Sequence, residues 1–109
     1  MKEIDVYEHD YDNLIILPMD AILRVVLTEN PSTGYRWQIE DKSGACLEVV
    51  ANKFITQAEP VIGAPGKVIF YFKPITPGRC TLKLKLLRPW EGDKSIVKRF
   101  QVFVSVASG

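Results

Sequence analysis

Apolar and polar residues alternate with a period of two along most of this chain, and no stretch sustains the 3.6-residue period of an amphipathic helix. The clearest run sets Cys80, Leu82, Leu84 and Leu86 against Arg79, Thr81, Lys83 and Lys85. Phe100, Val102, Val104 and Val106 alternate in the same way with Arg99, Gln101, Phe103 and Ser105, as do Leu23, Val25 and Leu27 with Arg24 and Val26. Successive side chains of a strand point to opposite faces, so such runs make strands with one apolar and one wet face. Gly, Pro, Asn and Asp interrupt the pattern about every dozen residues, which places strands near 4–7, 14–17, 21–28, 35–39, 47–56, 67–73, 79–86 and 99–106. A chain of 109 residues can bury one two-layer core and no second one. The expectation for residues 1–109 is a single all-β domain, an antiparallel β-sandwich of seven to eight strands with loops gathered at its two ends.

Composition removes several classes of function. Fourteen basic and 13 acidic residues leave a net charge of +1, which gives no electrostatic footprint for nucleic acid or an anionic membrane. Lys83, Lys85, Lys98 and Arg99 form a mildly basic face without interleaved stacking aromatics, and read as solvated. No apolar run approaches the roughly 18 residues that cross a bilayer. The start, Met1-Lys2-Glu3-Ile4-Asp5, lacks the apolar segment of a secretory signal. A soluble chain is expected, either cytosolic or exported with its leader removed. Cys46 and Cys80 show no metal-binding spacing, and Cys80 follows the inward alternation, so Cys80 is read as a buried free thiol in preference to a bridge to Cys46. The sole histidine, His9, lies in a polar segment and is read as solvated. No catalytic residue, metal or cofactor is expected.

Three punctuated segments stand at the ends of strand-like runs: Asn30-Pro31-Ser32-Thr33-Gly34-Tyr35-Arg36-Trp37, Gly63-Ala64-Pro65-Gly66, and Arg88-Pro89-Trp90-Glu91-Gly92. In the first, the Asn30 side chain can fold onto nearby backbone N–H groups, Pro31 fixes φ near −65° and Gly34 is free to take φ > 0. Ser32 and Thr33 then sit at the summit of a loop that is stiff before anything binds. Trp37 is read as a core residue and Tyr35 as support beneath the loop. If the strands run up and down, the first and third loops emerge at the same end, and the second can join them.

These three segments, in this order on a domain of this length, resemble the chagasin family of inhibitors of papain-like cysteine peptidases. The family pattern is Asn-Pro-[Thr/Ser]-Thr-Gly-Tyr-x-Trp, then Gly-x-Gly-Gly, then Arg-Pro-Trp, matched by Asn30 through Trp37, Gly63 through Gly66 and Arg88 through Trp90. Gly-Ala-Pro-Gly departs from it at Pro65, which removes one backbone donor. The resemblance implies an immunoglobulin-like sandwich and a reversible, non-enzymatic, tight-binding inhibitor without cofactor. A monomer would meet one papain-like peptidase in a one-to-one complex. The implied contact residues are Asn30, Pro31, Ser32, Thr33 and Gly34 entering the cleft, Gly63, Ala64, Pro65 and Gly66 extended along the groove, and Arg88, Pro89 and Trp90 on the other flank. Two other classes remain open on residues alone, an immunoglobulin-like adhesion or ligand-binding module and a small thiol enzyme using Cys46 or Cys80.

Overall fold

The computed structural model describes residues 2–43, 46–55 and 66–108. It contains eight strands, β1 (Lys2–Tyr7), β2 (Leu14–Pro18), β3 (Ala21–Glu29), β4 (Arg36–Ser43), β5 (Leu47–Ile55), β6 (Gly66–Pro74), β7 (Gly78–Leu87) and β8 (Lys98–Ala107). Single 3₁₀ turns occupy Glu8–Asp10, Pro31–Thr33 and Gly92–Ser95. Two four-stranded sheets, ordered β1-β3-β6-β5 and β2-β8-β7-β4, make the expected sandwich. Most neighbours are antiparallel, but β1 pairs parallel with β3 and β2 parallel with β8. The chain crosses to the second sheet after β1 and returns after β2, so β1 and β3 enter the same sheet in the same direction. Among the described residues no helix is long and apolar enough to cross a membrane.

The alternation read from the sequence is the alternation of burial. Leu23, Val25 and Leu27 from one sheet meet Leu82, Leu84, Val102 and Val104 from the other, all essentially without solvent contact. Each such side chain contributes about 1.5–3 kcal/mol of apolar burial. Trp37 lies in the same core, as expected, and its indole Nε1 donates to Thr28 O at 2.9 Å, so the buried ring carries no unmet donor.

The cysteines correct the reading of Cys80 as a free thiol: Cys46 and Cys80 form a disulfide, with Cα atoms 6.1 Å apart. Both are buried in the core cluster, so the inward phase assigned to Cys80 was right. Cys46 immediately precedes β5 in one sheet and Cys80 lies near the start of β7 in the other, so the bond ties sheet to sheet. With the two sulfurs joined to each other, neither cysteine stands as a free thiol.

Strand directions fix where the connections go. Strands β3, β5 and β7 run one way and β4, β6 and β8 the other. The β3–β4 and β7–β8 loops therefore emerge at one end, together with the β1–β2 connection, and the facing ends Ile55 and Gly66 lie there too. The disulfide sits at the opposite end, beside the β6–β7 turn, where Ile75 N donates to Cys46 O at 2.9 Å.

Candidate functional site

The β3–β4 loop satisfies its own polar groups. Asn30 Oδ1 accepts from the Ser32 backbone N–H at 3.1 Å and from the Ser32 hydroxyl at 2.7 Å. The Thr33 hydroxyl donates to Asn30 O at 2.8 Å, while the Thr33 N–H reaches the same carbonyl at 3.2 Å. Pro31 opens the 3₁₀ turn with its pre-set φ, and Gly34 closes it at φ 80°, ψ −5°, a left-handed conformation that a Cβ would strain. Pro31, Ser32 and Thr33 are exposed at the tip, yet both hydroxyls are turned back into the loop. What the tip offers a partner is its shape.

The β7–β8 loop is built on a serine. Ser95 Oγ accepts the Arg88 N–H at 2.9 Å and lies 3.1 Å from Arg88 O and 2.7 Å from Gly92 O, closing a loop whose Glu91 and Gly92 N–H groups also fold onto Arg88 O. Outside it, Lys85 Nζ donates to Asp93 at 2.8 Å and holds that carboxyl below the ordinary range. Pro89 and Trp90 stand out from this frame, Trp90 at 70% exposure.

The two loops meet. Arg88 Nε donates to Thr33 O at 3.3 Å, and its guanidinium covers the Tyr35 ring with Cζ 4.6 Å from the centroid, a cation–π contact. The Trp90 indole lies so close over Gly34 that a Cβ there would overlap its outer edge. Arg88 is thus a brace between loops, a role the sequence reading had not given it. Tyr35 supplies the expected support through its ring. Residues 33–35 and 88–90 form one protrusion from connections 55 positions apart.

Of the second segment, Gly63, Ala64 and Pro65 lie outside the described residues. Gly66 opens β6 opposite Glu29 and is buried. An added Cβ there would strike the Phe54 ring and Ile55 O, so this glycine permits close approach of β5 at the foot of the connection.

One functional candidate escaped the sequence reading. Glu29 is the single buried charged residue among those described, at 4% exposure, and its Oε1 accepts the Trp37 N–H at 2.8 Å across the base of the first loop. Its other oxygen lies 3.5 Å from Arg36 Nη1. The available signal was its place in the inward phase after Leu23, Val25 and Leu27, where a carboxylate breaks the pattern.

Flanking charges are paired. Burial disfavours ionisation of Glu8, but hydrogen bonds from Lys98 Nζ at 2.7 Å and the Thr28 N–H at 2.6 Å outweigh it and hold the carboxyl below its ordinary value. Arg99 pairs with Glu40, so the basic strand face is largely neutralised. His9 is exposed, as expected, and stacks on Tyr7.

Comparison with known proteins gives these loops a context. Residues 17–104 match the model of the chagasin family peptidase inhibitor I42. Chagasin of Trypanosoma cruzi is 26% identical over 94 residues, covering 83% of this chain and 86% of that protein. Amoebiasin-2 of Entamoeba histolytica is 34% identical over 82 residues, 72% of this chain and 64% of the relative. The fold matches the cysteine protease inhibitor EhICP2 from Entamoeba histolytica with a TM-score of 0.86 at 23% identity, over 97% of this chain and 96% of the other. It matches PbICP-C, solved in complex with falcipain-2, with a TM-score of 0.72 at 16% identity over 98% and 100%. The matched span runs from β2 into β8 and contains both described loops, and on that extent of agreement the chain belongs to the chagasin family of peptidase inhibitors.

Proposed function

We propose that this protein blocks papain-like cysteine peptidases by lodging the joined β3–β4 and β7–β8 loops in the active-site cleft, one inhibitor monomer to one enzyme. The observation that carries the reading is the weld between the loops, Trp90 over Gly34 and Arg88 on Thr33 O and Tyr35. A protrusion already ordered loses little side-chain entropy on entering a cleft. Ser32 and Thr33 lead, and their 3₁₀ turn presents no extended peptide to the catalytic cysteine, so the complex is non-covalent and reversible. Trp90 supplies the exposed aromatic anchor that commonly dominates an interface. Asn30, Pro31, Gly34 and Pro89 shape the contact, and Gly63, Ala64, Pro65 and Gly66 are assigned to it from the sequence pattern alone. PbICP-C, which shares this fold, was solved in complex with falcipain-2, which supports a peptidase as the partner. The disulfide supports a working environment that is oxidising.

Titration against papain tests the proposal. Activity should fall to zero at one equivalent and return on dilution with competing substrate, and papain with an alkylated cysteine should bind less well. Binding that ignores alkylation and leaves activity intact would favour an adhesion or ligand-binding module instead.

A further inference from the structure

The geometry points to Glu29 as the residue that positions the plug, by gripping the Trp37 N–H across the mouth of the β3–β4 loop. This rests on the inhibitory reading above for its functional consequence, but not for its structural one. Residues 29 and 37 bracket the loop, and their strands belong to different sheets, so no ladder hydrogen bond closes its base. The Glu29 side chain makes that closure at 2.8 Å, backed by Trp37 Nε1 on Thr28 O at 2.9 Å. Two bonds thus pin the same residue on both its backbone and its indole. The hydrogen bonds from Asn30 to Ser32 and Thr33 and from Thr33 to Tyr35 fix the turn's shape, and Arg88 Nε on Thr33 O ties its summit to the neighbouring loop. The base sets the direction in which this braced turn leaves the sandwich.

A carboxylate is an expensive choice for a site that is 4% exposed, since a buried charge demands strong partners. Its partners are one backbone N–H and Arg36 Nη1 at 3.5 Å, the latter on a half-exposed side chain. Both lie on the strand leaving the loop, and the carboxylate therefore holds β4 to β3 at the point where the sheets diverge. The reach of the side chain, and not its charge, is what the Trp37 bond requires.

Two variants separate reach from charge. Glu29→Gln keeps an oxygen acceptor at the same distance, whereas Glu29→Asp keeps the charge but falls one methylene short. Amide hydrogen exchange read by NMR should show Trp37, Thr33 and Gly34 exchanging at least tenfold faster in Glu29→Asp, with Val25 and Leu84 unchanged, and wild-type rates in Glu29→Gln. The inhibition constant against papain should rise at least tenfold in Glu29→Asp and stay within threefold in Glu29→Gln. Equal exchange in wild type and Glu29→Asp, or uniform acceleration through the core, would overturn the positioning role. Faster loop exchange with an unchanged inhibition constant would overturn its link to inhibition. A wild-type chain that fails to inhibit papain would remove the inhibitory reading while the exchange experiment still decides the role of Glu29.

Discussion

Breaking the Cys46–Cys80 bond should cost the protein a large fraction of its stability and almost none of its inhibition. The bond joins positions 34 apart in sequence. The loop-entropy relation puts its removal at about 4 kcal/mol at 25 °C. Domains of this size are stable by roughly 5–15 kcal/mol, so the reduced chain should remain folded at room temperature. An unfolding entropy of about 0.2 kcal/mol per kelvin for a chain this long converts the loss into a fall of roughly 15 °C in Tm. Calorimetry of the oxidised protein, the reduced protein and the Cys46→Ala/Cys80→Ala variant gives three values, and the last two should agree within a few degrees. Because the bond joins the sheets at the end away from the loops, the reduced protein should inhibit papain within threefold of the oxidised one at 20 °C. A Tm change under about 5 °C, with the bond shown to be broken by mass spectrometry, would refute the entropic argument. A tenfold weaker inhibition constant in the folded, reduced protein would show that the two ends are not independent.

Gly34→Ala places a Cβ at φ 80°, where an L-residue is disfavoured by roughly 1–2 kcal/mol, and drives the Trp90 indole off its seat; Tm should fall by several degrees while the inhibition constant rises well over tenfold, with Trp fluorescence reporting the displaced ring. Trp90→Ala should leave Tm nearly unchanged, since the ring is 70% exposed. It should nonetheless weaken inhibition about thirtyfold, the equivalent of about 2 kcal/mol, and Thr33→Asp should act in the same direction; unchanged constants in both would defeat the loop assignment. The folded-state pKa of Glu8 lies below its ordinary 4.5, so its contribution is present above that value and lost as pH falls through the folded pKa. Glu8→Gln should therefore destabilise at pH 7 by under about 1 kcal/mol, the pair with Lys98 being partly solvated, and the difference should vanish in urea melts at the acid end.

The fold was legible because burial here follows the period-two pattern almost residue by residue: Leu82, Leu84, Val102 and Val104 needed nothing but their phase to be placed in the core. The two parallel pairings were not legible, since they arise from which sheet each strand joins, and that depends on contacts distant in sequence. The same limit hid the disulfide. Cys80 carried its inward phase in the sequence, but nothing local to Cys46 announces that it faces the same core from the opposite sheet. The site was legible as turn chemistry: Asn30, Pro31 and Gly34 do what their residue types favour. The bracing role of Arg88 was not legible because its acceptor, Thr33 O, belongs to another loop. Glu29 was overlooked because a polar residue at a strand end is ordinarily unremarkable; its inward phase was the clue.

The protrusion achieves its rigidity with side chains that a cleft would otherwise have to immobilise. Ordering a mobile side chain at an interface costs about 0.5–1.5 kcal/mol. Ser32 and Thr33 are held by Asn30, Tyr35 lies under the Arg88 guanidinium, Arg88 is tied to Thr33 O, and Trp90 rests on Gly34. Five side chains fixed in the free protein spare association a cost of several kcal/mol, which corresponds to roughly a thousandfold in affinity. That energy is invisible in any list of contacts with a peptidase, because it resides in the unbound inhibitor. A substitution that loosens the joint from beneath without altering its exposed surface, Glu29→Asp, should therefore rival Trp90→Ala in its effect on inhibition. Loss of affinity confined to residues that touch the enzyme would mean that the cleft, and not the sandwich, orders the loops.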